Sequence, residues 1–448
     1  MNQLFKDWKA LIMLAIPMII ASLSDILLNA VNTGFVGQLG TVSLASVLTA
    51  GAIYSVITTL IGALAVGFQI IAARQFGAGD REEVSKTFLH MAVLIFIAVL
   101  ISILILWFCR PIVQMISSDP AVVNEAITFL RVRMIGLVFF GAALICRMTL
   151  DASKQSKWGM YSSLVSNIFN AIGDYFLIFG VGQLQPMGIQ GAALSSSIAN
   201  LIGFLFFVWV LWRIKPIPLP SIKLVRSQFS SILRLSSPEM LNSTFDYVGN
   251  LLFTAVIGIL GTSMLAGGRI TFMFVMILFH ITLIMGFALQ ITMGNMIGKG
   301  DLQSMKRVFT NGRLLSLAIS FVLGTLVAVG SRGLLSIFST SLEVIQDTVG
   351  AIIVLAITVP LMAWTNVNTA AMRAHSNTKW VMYINLSAVW LVQLPIGWLV
   401  GIYLNGGLVG VYTGYLCYFL VRAVVSHFFA IRLINNKLQP KIEGIRVR

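Results

Sequence analysis

Long apolar stretches separated by short polar connections make up almost the whole chain. Each stretch reaches about 20 residues, the length that a helix needs to cross a bilayer. The pattern predicts an all-α polytopic membrane protein with twelve transmembrane helices. The predicted helices cover residues 10–36, 42–74, 85–109, 121–150, 158–181, 188–213, 231–260, 263–297, 307–330, 343–372, 379–403 and 407–432.

The second half of the chain repeats the first. Residue types return at a spacing of 221, the difference between Pro17 and Pro238. Further repeated pairs are Asp25 and Asp246, Asn29 and Asn250, Gly79 and Gly300, and Asp80 and Asp301. Six helices per half is an even number, so a pseudo-twofold axis along the membrane normal is expected to relate the two lobes. Such a duplication is the usual build of a secondary transporter, with the substrate site in a central cavity between the halves.

The domain limits follow from the helices and from the prolines between them. We expect an N-lobe at 1–213, a cytoplasmic linker at 214–230, a C-lobe at 231–434 and a basic cytoplasmic tail at 435–448. The linker is predicted because its prolines cannot continue a helix and its basic residues favour the cytoplasmic surface.

The turn between the second and third predicted helices has a local explanation. Gly79 is expected to end one helix in a left-handed conformation, and Asp80 to cap the next. Glu83, three residues on, would complete a capping box. The alternative is a functional hinge or gate.

Composition and charge support the membrane assignment. Hydrophobic residues make up 58% of the chain and charged residues 10%, against about 25% charge in a soluble domain. The net charge is +15, but the basic residues concentrate in alternate connections, which is the positive-inside pattern rather than a nucleic-acid surface. We expect a bacterial-type plasma membrane protein with both termini in the cytoplasm, in contact with membrane lipids and without a nucleic-acid partner.

Several function classes lack their motifs. The three cysteines, Cys109, Cys146 and Cys417, are far apart, and the four histidines have no metal-ligand spacing. The sequence contains no nucleotide-binding or nucleophile motif in a suitable context. We therefore expect neither an enzyme nor a resident cofactor, and an ion gradient as the energy source.

Three carboxylates lie well inside predicted apolar helices: Asp25, Asp174 and Asp246. A charge at this depth costs about 2.5–3.5 kcal/mol on the insertion scale, so such residues are usually functional. A carboxylate there can bind Na⁺ together with amide oxygens, or it can take up a proton because burial disfavours its charged form. The alternative is a buried aspartate that holds neighbouring helices together through hydrogen bonds.

Other polar residues share helix faces with these carboxylates. Spacings of three, four and seven place them on single faces and predict a water-filled cavity. The candidates are Asn29 and Asn32 with Asp25, Asn167 and Asn170 with Asp174, Ser195, Ser196 and Ser197 on the sixth helix, and Tyr247 and Asn250 with Asp246. Arg131 and Arg133 are expected near the outer membrane surface, whereas Arg269 either pairs with Asp246 or approaches the interface.

Several segments resemble the prokaryotic multidrug and toxic compound extrusion (MATE) family over nearly the full length. They are Val31–Gly40 (VNTGFVGQLG), Asn170–Gly180 (NAIGDYFLIFG), Met187–Ala193 (MGIQGAA) and the repeat in helices 7 and 8. The resemblance implies two six-helix lobes around a V-shaped cavity. It also implies export of organic, mainly cationic compounds in exchange for H⁺ or Na⁺ by alternating access. We expect a monomer.

The resemblance assigns roles to particular residues. Asn170 and Asp174 match the cation site of the N-lobe, where Na⁺ could bind, and Ser196 lies near a threonine of that site. Asp246 matches the acidic position of helix 7 in the NorM-like branch. The expected cation-coupling set is Asp25, Asn29, Asn32, Asn170, Asp174 and Ser196, and the expected C-lobe substrate set is Asp246, Tyr247, Asn250 and Arg269.

The chain also departs from the family pattern. Asn32-Thr33 stands where the family commonly has Asp-Thr, and the region of helix 10 that often carries an acid has Thr365, Asn366 and Asn368 instead. Our hypothesis is that Asp25 replaces the absent aspartate and works with Asp174, while Asp246 serves the C-lobe.

Three alternatives stay open. A flippase for a lipid-linked oligosaccharide belongs to the same superfamily, but a cationic cavity would suit its pyrophosphate better than the acidic and amide residues here. A divergent exporter of non-cationic substrates lies between the two. A polytopic membrane enzyme would need clustered catalytic or metal-binding residues at the membrane interface.

Overall fold

A computed structural model describes residues 2–180, 182–183, 185–218, 224–338 and 341–435. This part of the chain is almost entirely helical and contains no strand, so the all-α prediction is confirmed. The predicted tail beyond residue 435 and residues 219–223 of the predicted linker lie outside the described residues.

The helices of the first half follow the predicted pattern. They are α1 (Asn2–Gly37), α2 (Thr41–Ala78), α3 (Arg81–Trp107), α4 (Arg110–Ile116), α5 (Pro120–Ala152), α6 (Lys157–Phe179) and α7 (Gly188–Ile214). The short helix α4 was not predicted. Its length of seven residues is too short to leave a recognisable apolar period in the sequence.

The second half repeats this order with one interruption. Its helices are α8 (Arg226–Ile259), α9 (Thr262–Gly298), α10 (Leu302–Phe338), α11 (Leu342–Ala374), α12 (Thr378–Ala388), α13 (Leu394–Trp398) and α14 (Gly407–Ile434). The predicted helix 379–403 is divided, because π-helical segments at Val389–Gln393 and Leu399–Tyr403 flank α13. Pro395 cannot donate the regular helical hydrogen bond, which explains a break at this point.

Ten helices are long and apolar enough to cross a membrane, among the residues that the structure describes. The helices α6 and α8 correspond to predicted spans but fall outside this set. They carry Asn167, Asn170, Asp174 and Asp246, and such polar residues lower the mean hydropathy of a span.

The turns at the start of corresponding helices repeat in detail. Gly79 and Gly300 adopt left-handed conformations with φ of 78° and 74°. Asp80 accepts a hydrogen bond from the backbone nitrogen of Glu83 at 3.0 Å, and Asp301 caps α10 in the same way. The hydrogen bond from the Ser304 backbone holds the pKa of Asp301 below its usual value. The turn therefore forms the predicted helix cap.

The predicted capping box is not completed by Glu83. Its carboxylate forms an ion pair with Lys86 at 3.1 Å and accepts a hydrogen bond from Gln228 at 2.5 Å. The side chain of Glu83 therefore anchors the start of α8 instead of closing the turn.

The chain forms two compact units. The N-unit comprises Met13–Thr244, and the C-unit comprises Met1–Ile12 together with Phe245–Arg448. These limits differ from the predicted lobe boundaries, because α1 and α8 each contribute residues to both units.

Hydrogen bonds explain why the start of α8 belongs to the N-unit. The Ser85 hydroxyl donates to the backbone oxygen of Pro218 at 2.7 Å, and the backbone nitrogen of Val225 donates to Nε2 of His90 at 2.8 Å. The segment after α7 is thereby held against α3.

The start of α1 is held within the C-unit in a similar manner. Asp7 is buried and accepts hydrogen bonds from Arg307 at 3.1 Å and from Asn311 at 2.7 Å. The indole nitrogen of Trp8 donates to the backbone oxygen of Asn311 at 2.9 Å. These contacts tie the first turns of α1 to α10.

Glycine allows close packing between α13 and α14. A Cβ atom at Gly414 would lie 2.5 Å from the Gln393 oxygen and 2.5 Å from the Gly397 nitrogen, and one at Gly410 would lie 2.6 Å from the Val400 oxygen. Small residues four positions apart let helix backbones approach in this way in membrane proteins.

Candidate functional site

The first candidate site lies in the N-unit, where α1 meets α6. Asp174 on α6 is fully buried, and Asn32 on α1 faces it. With the side-chain amides oriented to pair donors with acceptors, the Asn32 nitrogen donates to Oδ2 of Asp174 at 2.5 Å. The Asn170 nitrogen, one helical turn before Asp174, lies 3.2 Å from both carboxylate oxygens.

Serines of α7 complete this site. The Ser195 hydroxyl donates to the backbone oxygen of Asn170 at 2.9 Å, and the Ser196 hydroxyl lies 3.3 Å from the oxygen of its amide. Gly173 makes the approach possible, since a Cβ atom there would lie 2.5 Å from Oγ of Ser195. Asp174 is therefore surrounded by amide and hydroxyl groups from three helices.

A second carboxylate contact lies nearer the start of α1. The Asn167 amide donates to Oδ1 of Asp25 at 2.8 Å and to the Ser24 hydroxyl at 2.9 Å. Asp25 and Asn167 each precede Asn32 and Asp174 by seven residues, about two helical turns. The two contacts thus form rungs between α1 and α6, with the carboxylate on opposite helices.

The structure gathers part of the predicted cation-coupling set. Asn32, Asn170, Asp174 and Ser196 lie together, whereas Asp25 contacts Asn167 in the other rung. Asn29 is exposed on α1, where its backbone oxygen accepts a hydrogen bond from Thr33.

Arg133 adds a positive charge near this site. Its guanidinium group lies 4.7 Å from the centre of the Tyr54 ring, within the N-unit, and it interacts electrostatically with Asp174. We expected Arg133 near the outer membrane surface, but the rotation of α5 turns it inwards. Arg131 stacks on Trp107 at 5.3 Å.

The second candidate site is a chain of polar groups in the C-unit. The Asn385 amide donates to Oδ1 of Asp246 at 2.6 Å, and the Tyr418 hydroxyl donates to the Asn385 oxygen at 2.6 Å. Arg422 in turn donates to the Tyr418 hydroxyl. The chain connects a carboxylate on α8 with a guanidinium group on α14.

Sequence reasoning missed Asn385, Tyr418 and Arg422. Arg422 is only 7% exposed, and its guanidinium group also lies 4.9 Å from the centre of the Tyr418 ring. The available signal was an arginine ten residues before the basic end of a predicted span, one turn after a tyrosine.

The other residues of the predicted C-lobe set have different surroundings. Tyr247 is half-buried, and the backbone oxygen of Asn250 accepts a hydrogen bond from Thr254. Arg269 is exposed on α9. The printed sequence alone left its pairing open, and Asp246 uses the Asn385 amide as a partner.

The region of α11 that lacks the family's acid is buried and polar. The Asn366 amide donates to the Thr282 hydroxyl at 3.0 Å. Asn368 is fully buried, and neither of its amide atoms has a hydrogen-bond partner among the described residues. Amide groups therefore occupy a position where a carboxylate was expected from the family pattern.

A conventional metal centre is absent from the described ranges. They contain no group of three or more His, Cys, Asp or Glu residues that could hold a metal ion. A cation at either site would be bound by one carboxylate with amide and hydroxyl oxygens, which is a donor set that suits hard cations.

Buried carboxylates paired with amides inside long apolar helices, in a chain with two similar halves, define a polytopic helical membrane transporter. The MatE family model matches residues 17–176 and 238–399, once in each half and over more than half of the chain. The chain therefore belongs to the MatE family, the multidrug and toxic compound extrusion transporters, as its sequence resemblance indicated.

Curated relatives cover nearly the whole chain at low identity. The chain is 23% identical over 430 residues to the probable multidrug resistance protein NorM of Thermotoga maritima, covering 94% of this chain and 91% of the relative. It is 22% identical over 410 residues to the multidrug resistance protein MdtK of Yersinia pseudotuberculosis, covering 90% and 89%.

Solved structures show the same fold. The Vibrio cholerae MATE transporter VcmN matches with a TM-score of 0.90 at 18% identity, covering 97% of this chain and 99% of that chain. A MATE structure in complex with MaL6 matches with a TM-score of 0.89 at 20% identity, covering 96% and 97%. At these identities the likeness establishes the fold, and the chain is a multi-pass membrane protein of that fold.

Proposed function

We propose that the protein is a secondary active antiporter of the plasma membrane with both termini in the cytoplasm. It exports organic, mainly cationic compounds in exchange for H⁺ or Na⁺, by alternating access of two lobes. The names of the relatives support drug export, since the Thermotoga maritima and Yersinia pseudotuberculosis proteins are named multidrug resistance proteins. The basic connections support the orientation of the termini.

The observation that carries this proposal is the full burial of Asp174 between Asn32 and Asn170. When the carboxylate is charged, both amide nitrogens can donate to it. When a proton or Na⁺ neutralises it, the amides gain by turning their oxygens towards the proton or the ion. Because the groups lie on α1 and α6, occupancy changes the contact between two helices and can bias their packing.

Asp246 is proposed to serve organic cations in the C-unit, together with Tyr247, Asn250 and Arg269. In the structure its charge is linked to Arg422 through Asn385 and Tyr418. A cationic substrate that approaches Asp246 would compete with this internal arginine. The proposed role of Asp25 is to assist Asp174, from the neighbouring rung of α1 and α6.

Transport into or out of reconstituted vesicles tests the function. Efflux of a fluorescent organic cation would be measured with H⁺ and Na⁺ gradients imposed separately, for the wild type and for Asp174→Asn, Asp25→Asn and Asp246→Asn. Asp119→Asn is the matched control, because Asp119 is an exposed helix cap and asparagine caps helices equally well.

We expect gradient-driven export in the wild type and the control, and its loss in Asp174→Asn. The gradient that drives export identifies the coupling ion. Absence of export by the wild type under either gradient would contradict the proposal, and labelled lipid-linked oligosaccharides would be the substrates to test next.

A further inference from the structure

A cavity of about 410 Å³ lies at one end of the N-unit, outside the Asp174 site. It is formed where α1 ends and where α2, α5 and α7 begin. Its polar lining includes Ser43, Asn124, Thr128 and Gln190, and its apolar lining includes Leu39 and Met187. This volume lies within the range of about 300–1,000 Å³ that small-molecule sites occupy.

Glu125 gives this cavity its charge. It is the one ionisable residue among the described lining residues. Its Oε2 atom is shielded from solvent and has no hydrogen-bond partner within the described ranges. The nearby Arg110 donates to Oδ1 of Asn124 at 2.7 Å. A shielded carboxylate oxygen without a partner is costly, and a bound cationic group would remove that cost.

We propose that this cavity binds an organic cation of the ammonium or phosphonium type, with Glu125 as its counter-charge. The side chains of Leu39 and Met187 supply contact for an apolar body, and thioether and aliphatic groups adapt to varied shapes. The hydroxyl and amide oxygens of Ser43, Thr128 and Gln190 face the charged end of the ligand.

The chemistry of the lining separates this ligand from other classes. An inorganic cation needs several oxygen ligands within about 2.6 Å, whereas this cavity offers one carboxylate in a space far larger than an ion. The negative charge of Glu125 disfavours anions. The cavity thus matches a cation that has a substantial apolar body.

The biological role rests on the proposed function. The predicted topology places the ends of α1 and the starts of α2, α5 and α7 on the outer side of the membrane. A cation site there would hold exported substrate on its way out. Binding itself does not depend on transport, so the two can be tested separately.

Binding of radiolabelled tetraphenylphosphonium to the full-length protein in nanodiscs tests the site. The measurements are made in the Asp174→Asn/Asp246→Asn background, in which the proposed transport carboxylates carry no charge. Glu125→Gln removes the charge at constant shape, and Ser43→Trp fills the cavity from α2. Glu82→Gln is the control, because Glu82 is exposed at the start of α3.

We expect affinity to fall about tenfold or more in Glu125→Gln and in Ser43→Trp, and to remain unchanged in Glu82→Gln. Uncharged triphenylphosphine oxide should bind weakly to all of them. Unchanged affinity in both cavity variants, each folded by size-exclusion chromatography, would overturn the proposal. A benzophenone-bearing phosphonium should label peptides around residues 39–43, 124–128 or 187–190, and labelling confined to other peptides would also overturn it.

Efflux measured for Glu125→Gln in the otherwise unchanged protein separates this proposal from the proposed function. Binding that depends on Glu125 without any export by the wild type supports the cavity and contradicts the transport function. Export by the wild type together with binding that ignores Glu125 supports transport and contradicts the cavity site.

Discussion

The carboxylate of Asp25 accepts a hydrogen bond from the Asn167 amide at 2.8 Å, between α1 and α6. Its repeat Asp246 accepts one from Asn385 at 2.6 Å, between the corresponding helices α8 and α12. The two asparagines are 218 residues apart, three fewer than the spacing of the aspartates. The duplicated halves therefore share an aspartate–asparagine contact, although its amide comes from a position about one turn away.

The contact of Asn32 with Asp174 predicts that the carboxylate can change helices. Asp174→Asn should abolish ion-coupled export, because neither side chain then carries a charge. The double variant Asn32→Asp/Asp174→Asn restores one carboxylate and one amide in the same contact, and it should recover a measurable part of the transport. Efflux of a fluorescent cation compares the two variants. A double variant as inactive as Asp174→Asn would show that the position on α6 itself is required.

The rung formed by Asp25 and Asn167 predicts a smaller effect. Asp25→Asn should change the dependence of export on the coupling ion, since it removes the second carboxylate along the same pair of helices. Export would be measured across a series of H⁺ and Na⁺ gradients, with Asp119→Asn as the matched substitution. Transport with an unaltered ion dependence would remove Asp25 from the coupling scheme and leave it as a packing residue.

Arg422 and Asp246 are predicted to depend on each other for stability. Arg422→Met leaves the charge of Asp246 without its internal counterpart and should cost about 3 kcal/mol, the range found when one partner of a buried charge pair is removed. Asp246→Asn should recover part of this loss in the double variant. Thermal unfolding of the wild type, both single variants and the double variant measures their coupling.

Additive losses in that cycle would mean that Asn385 and Tyr418 do not transmit the interaction. Tyr418→Phe is the companion variant, because it removes the hydroxyl that links Arg422 to Asn385 while keeping the ring.

The close packing of α13 on α14 predicts strong sensitivity to one methyl group. Gly414→Ala should destabilise the protein by about 1–3 kcal/mol, the usual cost of overpacking, because its Cβ atom would meet the backbone of Gln393 and Gly397. Gly51→Ala is the control, since nothing lies within 4 Å of a Cβ atom at that position in α2. Thermal unfolding should show a lower midpoint for Gly414→Ala and an equal or higher one for Gly51→Ala. Equal midpoints for both would contradict the packing argument.

Much of the fold is readable from the chain. Apolar runs of membrane-spanning length, glycines at turns and aspartates that cap helices are local features, and they predicted the helices and the repeat. The turn at Gly79 and Asp80 is one example, because its conformation depends on residues within one turn of it. The interruption around α13 was missed, since the sequence shows Pro395 but not how neighbouring backbone adapts to it.

The tertiary structure decided which polar groups meet. Helical periodicity assigns Asp25 and Asn32 to one face of α1, but it says nothing about the rotation and height of α6. Those depend on packing at close contacts such as Gly173 with Ser195, which bring Asn32 to Asp174 and Asp25 to Asn167. The link from Asp246 to Arg422 joins residues of three helices that are distant along the chain, and only the packed helices bring them within hydrogen-bonding distance.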